Sequence, residues 1–164
     1  MTDRANNLPT SSLRTTRSTA SSCFAVIVAE GMLNCANAFD MKVIAYDPYV
    51  DPCKVPSYVK LVSFEEFLET SDIVSIHCTV TPQTKGLFNE KTFAAMKKGS
   101  YFINTARGEI VDEAALINAL NSHHLAGAAL DVTMVEPIAS DSPLLDAENL
   151  IITPHLAGSS YDVQ

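Results

Sequence analysis

Polar and titratable side chains follow several apolar runs of this 164-residue chain, each where a predicted strand would end. They are Asp47, His77 with Cys78, Thr105 to Arg107, Asp131, and His155 with Gly158 just beyond. A carboxylate accepts hydrogen bonds from sugar hydroxyls, a guanidinium binds a carboxylate or a polarised carbonyl, and an imidazole exchanges protons near neutral pH. If one sheet edge collects these groups, the sequence predicts a ligand cleft with acid–base chemistry.

The chain from residue 24 onward predicts the sheet that would collect them. Short apolar runs predict strands at 24–28, 42–46, 59–62, 73–77, 101–104, 126–131 and 150–153. Helix-like segments alternate with these runs, with N-caps predicted at Ser63, Asn89 and Asp112 and a C-cap at Gly99. Continuous apolar strands that alternate with helices are typical of a parallel sheet covered on both faces. We therefore predict an α/β fold, a Rossmann-like doubly wound parallel sheet in a single domain.

The segment "FAVIVAEGMLNCANAFDMKVIAYDPY", residues 24–49, has the strand, helix, strand and acid layout of a unit that binds the adenosine half of a dinucleotide. Asp47 would accept hydrogen bonds from both ribose hydroxyls and repel a 2′-phosphate, which favours NAD over NADP. The alternative is that Asp47 and Pro48 simply start a turn. The turn after the first strand should be rich in glycine, yet only Gly31 is present there.

Three further residues suit anion binding and proton transfer. Arg107 follows a strand and could bind a carboxylate with two parallel hydrogen bonds, or could be a surface residue paired with Glu109 or Asp112. His155 suits a proton donor or acceptor, although a lone histidine is more often structural. Glu136 lies in another strand-exit loop, and contact with His155 would favour the imidazolium and fix the orientation of the ring.

Composition narrows the function classes. The formal charge of −8 disfavours binding to nucleic acid or an anionic membrane, and no apolar run is long enough to span a bilayer. The four cysteines are far apart without a Cys-x-x-Cys pair, which predicts buried reduced thiols, no metal site and a reducing, cytoplasmic location. Residues 1–22 are rich in Ser and Thr with one acid, so we predict a disordered leader; an organelle transit peptide is the alternative.

Residues 41–160 closely resemble the NAD-binding domain of the D-isomer-specific 2-hydroxyacid dehydrogenases, the family of D-3-phosphoglycerate dehydrogenase and glyoxylate/hydroxypyruvate reductase. The resemblance is carried by "VTPQTKGLFNEKTFAAMKKGS", "FINTARGEIVDEAALINAL", "LAGAALDV…EP" and "NLIITPHLAGSS". It implies that Arg107 binds and polarises a 2-oxo acid, that His155 exchanges a proton with the C2 oxygen, and that Glu136 supports the protonated His155. The hydride would pass between C2 and the nicotinamide of NAD.

The resemblance also implies a set of cofactor contacts and partners. The cofactor-binding positions are Asp47 at the ribose and, along the adenine and nicotinamide subsites, Cys78, Thr105, Ala106, Asp131, His155, Ala157 and Gly158. A small-molecule 2-hydroxy or 2-oxo acid would be the substrate, without nucleic acid or membrane, and a homodimer is left open.

The chain departs from the family pattern in three places. Aligned without gaps, the three loop glycines fall at Phe24, Val26 and Ala29, and Glu30 would add a negative charge near the phosphates. A short Ser- and Thr-rich segment precedes the domain in place of a substrate domain, and the chain stops at Gln164. We therefore expect residues 23–164 to be an NAD-binding domain truncated at both ends.

These features leave three functions open. The first is an NAD-dependent 2-hydroxyacid dehydrogenase that is inactive or incomplete as an isolated chain. The second is a non-catalytic nucleotide-binding or interaction module derived from such an enzyme. The third is a subunit that acts only when a partner supplies the missing substrate domain.

Overall fold

A parallel β-sheet forms the centre of the molecule. The structure, a computed structural model, describes residues 23–27 and 30–156; the predicted leader, Val28, Ala29, Ala157 and Gly158 lie outside the described residues. Within these ranges the strands are Cys23–Ile27 (β1), Lys42–Ala45 (β2), Val59–Leu61 (β3), Ile73–Ile76 (β4), Tyr101–Asn104 (β5), Gly127–Leu130 (β6) and Leu150–Ile152 (β7).

The strands lie in the order β3-β2-β1-β4-β5-β6-β7, and every neighbouring pair is parallel. The order reverses direction between β1 and β4, which is the switch point where open sheets of this kind bind ligands. Because all of these strands are parallel, their carboxyl ends meet at one edge. The predicted Rossmann-like α/β fold is confirmed.

Helices connect the strands, and their starts follow local capping chemistry. They are Glu30–Ala38 (α1), Phe64–Thr70 (α2), Glu90–Ala95 (α3) and Glu113–Asn121 (α4), with 3₁₀ turns at Pro52–Lys54, Gly108–Ile110 and Pro143–Asp146. The predicted N-caps are confirmed: the side chains of Ser63, Asn89 and Asp112 accept hydrogen bonds from the first-turn amides of α2, α3 and α4.

The predicted C-cap at Gly99 is wrong, because α3 ends earlier. Met96 leaves the helix with ψ of 149°, and its side chain is only 2% exposed in the core. Burial of Met96 therefore ends the helix before Lys97 and Lys98, which were predicted to lie in its last turn. Gly99 instead adopts φ of +82° in the turn before β5 and donates its amide to the His124 carbonyl at 2.7 Å.

Two other predictions need adjustment. Most strands were predicted one or two residues too long. Tyr46, His77 and Thr153 were predicted as the last residues of strands, but each lies just after its strand and lines a cavity. Cys35 and Cys53 are free but exposed, so the prediction of buried thiols is wrong for them: both lie in surface segments outside the sheet.

An aromatic cluster packs one face of the sheet against α2, α3 and α4. Phe67, Phe88, Phe93 and Phe102 are at most 1% exposed, and the rings of Phe88 and Phe102 lie 5.0 Å apart. This packing supports β5 directly below the loop that carries Arg107. In the part of the chain that the structure describes, no helix is long and apolar enough to cross a membrane.

Candidate active site

Three cavities lie along the carboxyl edge of the sheet. The first cavity, of 540 Å³, is lined by Asp47 and Cys78 among others. The second, of 550 Å³, is lined by Cys78 again, with Thr105, Ala106 and Arg107. The third, of 560 Å³, is lined by Asp131, Glu136 and His155. The cavities follow the strand order from β2 to β7, and the first two share Cys78 and Thr79. The strand-end residues therefore line a row of cavities along one edge of the sheet, the cleft.

Asp47 lies two residues after β2 and starts the turn that follows the strand. Its Oδ1 accepts a hydrogen bond from the Tyr49 amide at 2.8 Å. A carboxylate has about four lone-pair sites, so it retains acceptors for two sugar hydroxyls. The turn and the ribose interpretations of Asp47 are therefore compatible.

Aromatic rings surround this end of the cleft. Tyr46, Tyr49 and Phe64 line the same cavity as Asp47, and the side chain of Tyr49 is 86% exposed at its rim. Aromatic faces suit contact with a planar base. Our sequence analysis did not select these residues, although the two tyrosines that flank Asp47 in "YDPY" were a usable signal.

The middle of the cleft carries two groups that burial keeps uncharged. Burial lowers the pKa of His77, and the ring Nε2 lies 2.8 Å from the buried Ser75 hydroxyl. Burial also raises the pKa of the Cys78 thiol, against a smaller opposite effect of its own backbone hydrogen bond. Cys78 is therefore a neutral lining residue rather than a nucleophilic thiolate.

The loop after β5 holds Arg107 through the buried side chain of Asn104. The Asn104 amide group donates to the Arg107 carbonyl at 2.9 Å, and its oxygen accepts from the Ala106 amide at 3.0 Å. The Arg107 Nη1 donates to the Ala106 carbonyl at 2.6 Å, and no described carboxylate lies within salt-bridge distance of the guanidinium. Most of its donors thus remain available to a ligand. Our sequence analysis did not identify Asn104 as a support.

Gly108, immediately after Arg107, touches the loop that follows β6. A Cβ atom placed on Gly108 would lie 2.2 Å from the carbonyl carbon and oxygen of Thr133 and 2.5 Å from the Met134 amide nitrogen. Only a residue without a side chain permits this approach. Gly108 therefore sets the spacing between the Arg107 loop and the loop that carries Glu136.

Glu136 and His155 form a hydrogen-bonded pair across two strand-exit loops. The His155 Nδ1 lies 2.8 Å from Glu136 Oε2, and the Thr133 amide donates to Glu136 Oε1 at 3.1 Å. The bond from His155, and then the bond from Thr133, hold the pKa of Glu136 below its ordinary value; the charges of His155 and Arg107 act in the same direction, whereas burial opposes them. Glu136 therefore remains a carboxylate and orients the imidazole.

Asp131 supports the other side of His155. It is 7% exposed, and its Oδ1 accepts from the Thr153 hydroxyl at 2.5 Å and the Leu156 amide at 2.8 Å. Its carbonyl accepts from the His155 amide at 2.9 Å. These bonds hold the loop around His155, which has φ of +53°. Asp131 thus anchors the histidine loop as well as lining the third cavity.

The Glu136–His155 bond predicts a specific pH dependence. Because the folded-state pKa of Glu136 is depressed, its contribution to stability is present above the unfolded value of about 4.3 and is lost as the pH falls through the lower folded value. A ¹³C NMR titration of the Glu136 carboxyl group should show a midpoint below that of an unperturbed glutamate. Replacing His155→Asn should move that midpoint upward, since the largest cause of the shift is removed.

His123→Asn is the matched control for this titration. His123 is also exposed with φ of +53°, and its ring lies 4.0 Å from Glu148. Asparagine tolerates this backbone region, so neither substitution adds strain. An unchanged Glu136 titration in His155→Asn would contradict the hydrogen bond.

The segment before α1 differs from a glycine-rich phosphate loop. Phe24 and Val26, where the gapless alignment put loop glycines, lie inside β1 and pair with β2 and β4. β1 ends at Ile27 and α1 begins at Glu30, so only residues 28 and 29 separate the two elements. In the described residues of this unit, the sole glycine is Gly31 within α1.

The fold and this cleft define a dinucleotide-binding class of protein. Residues 27–157 match the family described as D-isomer specific 2-hydroxyacid dehydrogenase, NAD binding domain. The chain belongs to this family, as the sequence motifs predicted, and NAD is the cofactor of the domain.

Curated relatives are much longer than this chain. Hydroxypyruvate reductase from Blautia hydrogenotrophica is 43% identical over 122 residues, which cover 74% of this chain and 38% of that protein. The chloroplastic D-3-phosphoglycerate dehydrogenase 2 of Arabidopsis thaliana is 45% identical over 130 residues, which cover 79% of this chain and 21% of that protein. The chain thus spans well under half of their lengths.

Solved structures show the same fold. The NAD-dependent formate dehydrogenase from Staphylococcus aureus, in complex with NAD, superposes with a TM-score of 0.79 at 34% identity, covering 87% of this chain and 44% of that one. A D-isomer specific 2-hydroxyacid dehydrogenase from Xanthobacter autotrophicus superposes with a TM-score of 0.78 at 35% identity, covering 90% and 50%.

Proposed function

We propose that this chain is the NAD-binding part of a dehydrogenase that exchanges hydride between NAD(H) and a 2-hydroxy or 2-oxo acid. The observation that carries the proposal is the 2.8 Å contact between Glu136 and His155. It lies on the sheet edge that also carries Arg107 and Asp47. A titratable pair oriented for proton exchange, beside a guanidinium, suits the reduction of an oxo acid.

Each of the three residues has a separate role in this proposal. Arg107 binds the acid and polarises its C2 carbonyl through donors that the protein leaves available. His155 donates a proton from Nε2 to the C2 oxygen during reduction and takes it back during oxidation, while Nδ1 stays bound to Glu136. Bound NADH supplies the hydride.

The residues present suit the adenosine and nicotinamide parts of the cofactor better than its pyrophosphate. Asp47 and the aromatic rings suit the adenosine, and Thr105 and Ala106 line the second cavity together with Arg107, on the side of the nicotinamide. Between them, the family's glycine positions Phe24 and Val26 belong to β1. Without the close backbone approach that glycine permits, we expect weaker binding of the pyrophosphate than a glycine-rich loop would give.

The Glu136–His155 pair is exposed to solvent, which suggests that turnover needs a second protein surface to cover it. The side chains of His155 and Glu136 are 46% and 38% exposed. Water at such a site competes for every hydrogen bond and leaves the substrate poorly positioned. We therefore propose that turnover requires another domain or subunit to cover this edge, the third function considered above.

We also propose a substrate class, an assembly and a compartment for the protein. A small-molecule acid is the substrate and a homodimer is a candidate assembly. The negative charge disfavours partners such as nucleic acid and anionic membranes. The thiols of Cys35, Cys53 and Cys78 are free, which suits a reducing compartment such as the cytoplasm.

Titration of the purified chain with NADH, followed by nucleotide fluorescence, tests cofactor binding. Asp47→Asn should weaken binding by roughly tenfold or more, because a hydrogen bond to a charged group contributes about 1.5–3 kcal/mol. Asp51→Asn is the matched control. Both aspartates accept a hydrogen bond from the amide two residues later, at 2.8 and 3.0 Å, but Asp51 is not among the residues lining the cavity of Asp47.

The remaining functions predict different results. Equal weakening by Asp47→Asn and Asp51→Asn would contradict the ribose role. NADH binding without any reduction of 2-oxo acids, even after addition of the substrate domain of a relative, would favour the non-catalytic module. Reduction only in the presence of that domain, abolished by His155→Asn, would support our proposal.

A further inference from the structure

The loop that carries Glu136 has an exposed tip. Met134 and Val135 are 49% and 65% exposed, so apolar packing does not fix this part of the loop. The Glu136 carboxylate nevertheless needs a defined position, because hydrogen bonds weaken steeply with misalignment. Something else must hold the loop.

Glu113, the first residue of α4, contacts this loop. Its Oε1 accepts a hydrogen bond from the Met134 amide at 2.6 Å, across 21 residues of sequence. The helix behind it is anchored in the core: Leu116 and Leu120 are at most 1% exposed, and Asp112 caps its start. Glu113 therefore connects the loop to a fixed point in the core.

The backbone of Gly108 restricts the position of this Thr133–Met134 peptide from the other side. Gly108 approaches the Thr133–Met134 peptide so closely that an added Cβ would lie 2.2 Å from the Thr133 carbonyl. The peptide is thus held between a hydrogen-bond acceptor on α4 and the backbone of the Arg107 loop.

The position of this peptide affects the acid–base pair Glu136–His155 through direct hydrogen bonds. The Thr133 amide, one residue before the amide held by Glu113, donates to Glu136 Oε1 at 3.1 Å. The other oxygen of Glu136 binds His155 Nδ1 at 2.8 Å. A shift of the Thr133–Met134 peptide would therefore move the carboxylate away from the imidazole.

We propose that Glu113 is a positioning residue, which holds the Met134 amide and so keeps Glu136 aligned with His155. The catalytic meaning of this role rests on the proposed function, whereas the alignment itself does not. Glu113 would not touch substrate or cofactor.

Substitutions of Glu113 test the proposal through the ¹³C titration of the Glu136 carboxyl group. Glu113→Ala removes the acceptor, and Glu113→Asp shortens it while keeping the charge at the helix start. In both variants the proton affinity of Glu136 should rise roughly threefold or more, as its bond to His155 loosens. Glu113→Gln keeps an acceptor oxygen at the same reach and should restore the titration of the original chain.

Glu90→Ala is the matched control, because Glu90 is also the first residue of a helix and lies in its first turn. It reports the general cost of removing an acid from a helix start and should leave the Glu136 titration unchanged. Equal shifts in Glu90→Ala and Glu113→Ala would overturn the proposal, as would an unshifted Glu136 in folded Glu113→Asp. If Glu113→Ala does not fold, the Asp and Gln variants decide the question.

NADH titration of the same variants separates this inference from the proposed function. Failure of the original chain to bind NADH would count against the dehydrogenase proposal. The response of Glu136 to Glu113 would still be measured in that case, since it needs no ligand.

Discussion

Replacing Gly108→Ala should lower the free energy of unfolding by about 1–3 kcal/mol and separate the Arg107 loop from the Glu136 loop. The added Cβ would lie 2.2 Å from backbone atoms of Thr133, and backbone cannot move aside as a flexible side chain can. Chemical denaturation measures the first effect. The second should appear as an upward shift in the ¹³C titration of Glu136, because the peptide that supports its carboxylate is pushed away.

Gly127→Ala is the control for this substitution. Gly127 is buried in β6, where an added Cβ would lie 3.1 Å from the Asn149 carbonyl oxygen. It should reduce stability to a smaller extent and leave Glu136 unaffected. A Gly108→Ala protein with unchanged stability and an unshifted Glu136 would show that the two loops are not in contact in solution.

Phe88→Ala should have the largest effect on stability, about 3–5 kcal/mol. Phe88 is fully buried, and its ring centre lies 5.0 Å from that of Phe102, 5.9 Å from that of Phe93 and 6.2 Å from that of Phe64. Truncation would leave a cavity that these rings cannot fill, and aromatic pairs would be lost as well.

The position of Phe88 links this core to the site. Its amide donates to the Ile110 carbonyl at 3.0 Å, and its carbonyl accepts from the Asp112 amide at 2.9 Å. The segment between Gly108 and α4 therefore rests on Phe88, and the variant should also bind NADH less tightly. Phe39→Ala is the control: Phe39 is 80% exposed, so its loss should change stability by less than about 0.5 kcal/mol. A similar loss of stability in both variants would contradict the assignment of this core.

The order of strands and helices followed from local features of the sequence. The run 101–104 matches a strand residue for residue, because Phe102 and Ile103 place apolar side chains on both faces of the sheet. Ser63, Asn89 and Asp112 predicted helix starts correctly, since a cap acts on amides two or three residues away. The family was also recognisable from long motifs that carry the strand-end residues.

Helix ends and strand ends depended on more distant contacts. The end of α3 was predicted at Gly99 but occurs after Ala95, because the core takes up the Met96 side chain. Local sequence could not show this competition. It is settled by packing between residues far apart in the chain.

The sequence by itself determined the α/β class, the order of its elements and the residues that strand ends would carry to one edge of the sheet. Those properties depend on periodicity and capping, which act within a few residues. Only the tertiary structure decided that His155 binds Glu136, that Glu113 holds the Met134 amide and that Gly108 touches Thr133. These pairs are 19 to 25 residues apart and meet through loops, whose paths follow from sheet register and core packing rather than from local preference.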